Sequence, residues 1–152
     1  MIMAWLRQLL LLIGLVGSDQ LVKWATQTWL PLGRVKTIIP GVVALTNLHN
    51  DGAAWSILAG QQVFFIGLTL VAVVLLGYLL WRYWQQGWLR LSLTLILAGA
   101  VGNLIDRLAH GYVVDMFELQ FINFPVFNVA DICLTLGVGL MIYLVLTEKD
   151  EE

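Results

Sequence analysis

Apolar residues run through this chain in long blocks, not in short alternating patches. The longest uncharged block is Val63 to Trp81, VFFIGLTLVAVVLLGYLLW. At about 1.5 Å per helical residue it nearly crosses a hydrocarbon layer of roughly 30 Å. Leu91 to Ile105 and Ile132 to Leu146 are shorter, and each reaches spanning length only by taking in a polar end. The first block, Leu9 to Val16, is followed by Asp19 and Lys23, yet the SDQLVKW segment continues helically. Arg7 ahead of an apolar stretch also suits an amino-terminal signal peptide, but no small-residue cleavage site follows, so a retained helix is expected. The pattern predicts an all-α membrane protein, a four-transmembrane-helix bundle formed by residues 1–152 as one domain. Its helices are expected at about 4–28, 62–82, 90–109 and 127–147. The one long connection, 29–61, holds the β-like segments RVKTII and VVALTN around Pro40-Gly41. A two- or three-stranded flap is expected there, then a short helix near Ala53 to Ala59 and before the second span.

Composition agrees with this picture: 60% of residues are hydrophobic, 12% are charged, and mean hydropathy is +0.86. A soluble chain is roughly half apolar and a quarter charged. The net charge of −2 and the lack of a basic run argue against a nucleic-acid partner. A single Cys133 cannot close an internal disulfide. Four spans put both termini on one side. Arg7, Arg82, Arg90 and Lys149 fall on that side, Arg34 and Lys36 on the other, so the positive-inside rule places the termini in the cytoplasm. Trp81, Trp84 and Trp88 suit an interfacial belt around the inner loop, and Trp29 and Trp55 suit either an outer belt or packing. The tail EKDEE reads as a solvated end.

With that topology the acids outside the tail, Asp19, Asp51, Asp106, Asp115, Glu118 and Asp131, all converge on the outer leaflet. Ionisable groups in spanning segments cost several kcal/mol unless paired or facing a wet cavity, which makes them functional candidates. Asn47, Asn50, Asn103, Asn123 and Asn128 lie at the same level. Asn103 and Asp106 share a helix face, and Asn128 and Asp131 repeat the spacing. A polar pocket at the outer boundary of the bundle is the economical picture. Two carboxylates in such a low-dielectric site do not both ionise easily, so one can act as acid and the other as base toward a water. Asp115 and Asp131 suit this pairing, because Phe124-Pro125 between them lets the chain leave one helix and re-enter on the next.

Other chemistries fit less well. His49, His110 and Cys133 lack the spacing of a zinc site, so no metal and no cofactor is expected. Cys133 reads as core. Lys23 with Ser18 or Ser56 would make a Ser/Lys pair, but Asp19 four residues before Lys23 favours an ion pair. His110 beside Gly111 reads as a helix-end residue. A proton- or ion-conducting subunit is the alternative from another class, although its carboxylates would be spread through the bilayer depth.

Five segments resemble the motifs of lipoprotein signal peptidase (signal peptidase II), a bacterial membrane aspartic protease family. Asp19-Gln20-Leu21-Val22-Lys23 is similar to DQxxK, and Asn50-Asp51-Gly52-Ala53-Ala54-Trp55-Ser56 to NxGAAF/W. Residues Ala98 to Arg107 (AGAVGNLIDR) match GGAxGNxIDR, Gly111 to Asp115 match GxVxD, and Phe127 to Asp131 match FNxAD. Ala98 stands where glycine is usual, and Met116 where phenylalanine is usual.

The resemblance implies removal of the signal peptide from diacylglyceryl-modified prolipoproteins, cut just before the lipidated cysteine at the outer face of the inner membrane. It carries the catalytic pair onto Asp115 and Asp131, and supporting roles onto Asp19, Lys23, Asn50, Gly52, Asn103, Asp106, Arg107, Asn128 and Ala130. It also implies a small β-rich extracytoplasmic cradle with a mobile helix. The expected partners are lipid-modified prolipoproteins and membrane lipids, with the enzyme a monomer. Read from the residues alone, Asn103 and Asn128 would bind substrate backbone or hold an aspartate, and Asp19 and Asp106 favour structural pairing. Asp51-Gly52 favours a tight turn with positive φ at the glycine, holding Asn50 above the pocket.

Overall fold

The computed structural model describes residues 2–148, so residues 149–152 of the expected solvated tail lie outside the described residues, while Glu148 is the last residue of the fourth helix. In chain order the elements are α1 (Ile2–Trp29), β1 (Val35–Ile39), β2 (Val43–Asn50), a 3-10 turn (Ala54–Ser56), α2 (Gln62–Arg82), α3 (Gly87–His110), β3 (Val113–Leu119) and α4 (Val129–Glu148). All four α-helices are long and apolar enough to cross a membrane. α2, with a mean hydropathy of 2.7, is apolar all round and buries little of itself in the protein, which suits a helix solvated by lipid.

α3 is the hub, with α1, α2 and α4 all packed on it. Its seam with α4 is close to backbone on backbone. A Cβ added at Gly99 would lie 2.3 Å from the Ala130 carbonyl oxygen, and one at Gly137 would lie 2.7 Å from Ile96 Cγ1. Small residues give membrane helices this approach, because dispersion between close backbones replaces the hydrophobic drive that lipid removes. Ser92 Oγ donates to the Gly137 carbonyl at 2.8 Å across the same seam. Toward the turn between α2 and α3, Leu80, Leu93 and Leu97 form the apolar core. Trp5 stacks on Trp84 there at 3.4 Å, and the Arg90 guanidinium covers Trp84 at 4.9 Å. Trp84 is therefore packing and not belt, whereas Trp81 and Trp88 are exposed as expected, and so are Trp29 and Trp55.

Three antiparallel strands lie in the order β1-β2-β3. β1 and β2 are the expected hairpin, turning through Gly41 at φ 73°. The third strand comes from the connection between α3 and α4, not from the outer loop. Its pairing is non-local, so VVDMFEL carries little strand signal by itself. The register sets Leu48 opposite Asp115 and Asn50 opposite Val113. Gly111, left-handed at φ 77°, ends α3 and sends its N–H back to the Arg107 carbonyl, which leaves His110 at the helix end. The short helix expected over Ala53 to Ala59 shrinks to the 3-10 turn, because Trp55 (φ 54°) and Leu58 (φ 57°) take left-handed conformations that cannot propagate a right-handed helix.

Candidate active site

The first turn of α4 builds one half of the site. Asn128 precedes the helix and caps it: its Oδ1 accepts the Asp131 N–H at 2.9 Å, while Asp131 Oδ2 accepts the Asn128 N–H at 3.1 Å. This reciprocal box satisfies two backbone donors and fixes the Asp131 side chain at the helix mouth. It also explains why α4 begins at Val129 and not at residue 127. Asp131 Oδ1 accepts from Asn103 Nδ2 of α3 at 2.9 Å.

β3 supplies the other half. Asp115 Oδ1 accepts from Asn128 Nδ2 at 2.7 Å, and its Oδ2 accepts from Asn50 Nδ2 at 2.9 Å. Each of the four carboxylate oxygens thus holds one N–H donor, and Asn128 serves both aspartates. Asp115 and Asp131 line one cavity of about 470 Å³ together with Asn50, Gly52, Asn103 and Arg107. The remaining wall is largely apolar, including Leu119, Phe124, Phe127, Ile132 and Leu136. Burial pushes the Asp115 carboxyl up to about 7; the Asn50 hydrogen bond opposes this and the nearby Asp131 charge adds to it.

Behind this pair lies a second buried cluster. Lys23 Nζ bridges Asp19 Oδ2 (2.9 Å) and Asp106 Oδ2 (3.0 Å) and donates to Asn103 Oδ1 (3.0 Å). Asn103 Oδ1 also accepts from Asn128 Nδ2 at 3.1 Å, so its amide is held with the Nδ2 toward Asp131. Lys23 is thereby committed, and Ser18 Oγ donates to the Leu15 carbonyl, which leaves no Ser18/Lys23 pair. Ala130 is buried against Gly102, where an added Cβ would meet its methyl at 3.1 Å.

The loop between α1 and α2 is tied to α3 by Arg107, whose Nη2 donates to the Gly52 carbonyl at 2.9 Å while its guanidinium covers the Phe65 ring at 4.9 Å. The expected left-handed glycine at position 52 is not found. Between β2 and α2, positive φ falls at Trp55, Leu58 and Gly60. Asn50 Oδ1 itself takes the Gly52 N–H at 3.0 Å, and this side-chain turn replaces the backbone one.

Four of the six acids outside the tail therefore converge, and two do not. Asp51 is exposed, and Glu118 lies along β3 away from the cavity lining. Asn123 is exposed, and Asn47 instead pins the loop after α1 through Nδ2 to the Leu30 carbonyl at 2.8 Å. Cys133 is buried in α4 and does not line the cavity. Met116 of β3 is fully buried and does not line the cavity, so the departure from phenylalanine leaves the cavity wall untouched. The residue passed over is Gln20, whose Nε2 reaches Asp19 Oδ2 at 3.1 Å and Asp106 Oδ1 at 3.0 Å. Its signal was present in the sequence: it is the polar residue next to Asp19 in the DQxxK-like segment, three positions before Lys23.

The comparisons with known proteins point one way. The family model described as signal peptidase (SPase) II matches residues 11–147. A lipoprotein signal peptidase of Latilactobacillus sakei is 52% identical over 143 residues, covering 93% of this chain and 92% of that protein. One from Lactiplantibacillus plantarum is 48% identical over 144 residues, covering 95% and 97%. Two solved structures of bacterial membrane enzymes share the fold. One has a TM-score of 0.92 at 33% identity, covering 96% of this chain and 91% of that one; the other has 0.85 at 34%, covering 92% of each. This chain, a bundle with paired carboxylates at one end and matched over nearly its whole length by these relatives, belongs to the signal peptidase II family.

Proposed function

We infer that the protein is a membrane aspartic endopeptidase that removes the signal peptide from prolipoproteins, with Asp115 and Asp131 as its catalytic pair. The observation that carries the reading is the single asparagine, Asn128, hydrogen-bonded to both aspartates at the floor of one cavity. Such a pair holds one proton at working pH. The ionised carboxylate takes a proton from a water, the resulting hydroxide adds to the scissile carbonyl carbon, and the protonated carboxyl delivers its proton to the carbonyl oxygen. Collapse of the tetrahedral diol breaks the C–N bond: the proton taken from water passes to the leaving amine, and one diol hydroxyl returns its proton to the other carboxylate, which restores the singly protonated pair. The scheme needs neither metal nor cofactor.

The apolar wall of Leu119, Phe124, Phe127, Ile132 and Leu136 suits the hydrophobic residues of a signal peptide lying beside the lipidated cysteine. In this reading residues 1–152 act as one peptidase domain and a monomer, because a single chain supplies every group at the site. The termini lie in the cytoplasm and the site opens at the outer face of the inner membrane, in reach of a diacylglyceryl chain in the outer leaflet. The three-stranded sheet is the cradle, and the turn at Ala54–Ser56 stands over the substrate. The ion-conducting alternative finds no support. Purified protein incubated with a diacylglyceryl-modified prolipoprotein should release a product that begins at the lipidated cysteine, read by mass spectrometry. An uncut substrate, or a cut elsewhere, overturns the reading.

Asn50 has a sharper role than covering the substrate. Its amide donates to Asp115 and so stabilises the ionised form. Asn50→Ala should lower turnover about tenfold through loss of positioning. It should also shift the alkaline limb of the pH–rate profile upward, because the Asp115 proton is then held more tightly. An unmoved limb would reduce Asn50 to a substrate contact.

A further inference from the structure

We infer that Gln20 and Lys23 form a clasp that sets the separation of the two catalytic carboxylates, by bridging two buried aspartates that each hold the backbone beside one of them. The inference rests on the assignment of Asp115 and Asp131 as the catalytic pair. Asp19 Oδ1 accepts the N–H of Ala130, the residue immediately before Asp131, at 2.8 Å. Asp106 Oδ2 accepts the N–H of Val114, the residue immediately before Asp115, at 2.9 Å. Each catalytic aspartate is thus one peptide unit from a backbone group seized by a second, non-catalytic aspartate. The two seizing aspartates come from different helices, α1 and α3, and two side chains join them.

Lys23 spends its three N–H bonds on Asp19, Asp106 and Asn103. Its one positive charge cannot neutralise both carboxylates. Gln20 supplies the rest: its Nε2 lies within hydrogen-bond distance of Asp19 Oδ2 (3.1 Å), Asp106 Oδ1 (3.0 Å) and the Gly102 carbonyl oxygen (3.2 Å). Without those donors two carboxylates would face each other across a single ammonium in a dry interior, where like charges repel strongly. The relief available is separation, and separation draws Ala130 and Val114 apart with the catalytic groups attached. Gly102 leaves room for the arrangement, since a Cβ there would lie 2.7 Å from Asp19 Oδ2. The charged groups facing the catalytic pair are Asp19 and Lys23 from α1 and Asp106 and Arg107 from α3. Gln20 is the neutral member that adjusts their spacing without adding charge.

The experiment is Gln20→Met, which keeps the side-chain length and removes the donors. Turnover of a lipidated prolipoprotein should fall about 10- to 100-fold, with KM changed less than about twofold, because a displacement near 1 Å at the reacting groups costs that much. The pH–rate profile should narrow, with the acid limb moving up and the alkaline limb moving down, since two carboxylates that share a proton less closely titrate closer together. That alkaline shift is opposite to the one expected for Asn50→Ala. Loss of turnover with both limbs unmoved, or wild-type turnover, overturns the clasp. If Gln20→Met fails to fold, Gln20→Asn, which retains the amide one methylene shorter, is judged by the same two limbs. Asp115→Asn run alongside separates the two ideas: activity there removes the catalytic pair itself, whereas an inactive Asp115→Asn beside an unaltered Gln20→Met removes only the clasp.

Discussion

Asp115→Asn and Asp131→Asn should each lower prolipoprotein cleavage by about 10⁴-fold, the loss expected when a proton-transferring group becomes an amide of the same shape. The two variants should differ in stability. At Asp115 the new amide gains from not being a buried carboxylate, but its NH₂ must face a donor. Asn50 can re-orient only by giving up the Gly52 N–H, and Asn128 only by uncapping α4. The two effects oppose, and the net change should stay within about 1 kcal/mol. At Asp131 there is less freedom, because the facing Asn103 amide is fixed by Lys23 and Asn128 on its oxygen side. An amide nitrogen there meets an amide nitrogen, or else turns toward the Asn128 N–H and breaks the capping box. Asp131→Asn should therefore be the less stable by about 1–3 kcal/mol, the cost of an unsatisfied buried donor. Thermal unfolding in detergent beside a gel-shift cleavage assay reads both quantities. Near-wild-type turnover by either variant would remove that residue from the chemistry, and equal melting points would mean that the Asn103 amide is free to flip.

Much of this site could be read from the residues, and the reason is specific to membranes. Lipid forbids unpaired charge, so Asp19, Asp106 and Asp131 inside apolar blocks had to meet partners, and four spans place all three at one end. The span 62–82 was legible to its ends because no charge interrupts it, whereas the start of α4 depended on the Asn128 cap. The i,i+4 pair of Asp19 and Lys23 follows from helix geometry and is present. What could not be read is which backbone groups Asp19 and Asp106 hold: Ala130 lies 111 residues from Asp19, and Val114, only eight from Asp106, is reached because the chain reverses after α3. The Asp51-Gly52 pair misled for a local reason: a side-chain oxygen two residues before the glycine made the turn that a left-handed backbone was expected to make. β3 was hidden because the apolar residues of VVDMFEL do not alternate with polar ones and because its partner, β2, is distant along the chain.

The contact between α3 and α4 should tolerate almost no added atoms where it passes beneath the site. A Cβ at Gly99 would lie 2.3 Å from the Ala130 carbonyl oxygen, 2.6 Å from Leu134 Cγ and 3.1 Å from the Leu134 nitrogen. The leucine tip can rotate away, but the two backbone atoms cannot, so relief requires the first turns of α4 to move as a unit. That segment carries Ala130 and Asp131 and is capped by Asn128, which links the packing directly to the chemistry. Gly99→Ala should destabilise the protein by about 1–3 kcal/mol, the range for overpacked interiors. It should also lower turnover about 10²-fold, because a shift near 1 Å reaches the reacting carboxylate. Gly99→Val should not accumulate as folded protein. Gly77→Ala on lipid-facing α2 is the control: nothing lies within 4 Å of its added Cβ, so it should leave cleavage unaltered and stabilise the protein by no more than about 1 kcal/mol, the helix-propensity gain of alanine over glycine. Melting temperature and initial cleavage rate, measured on the same preparations, decide the matter. If Gly99→Ala melts and cleaves like the control, the α3–α4 contact is soft, and the position of Asp131 must be set by the Asn128 box and the Asn103 amide alone.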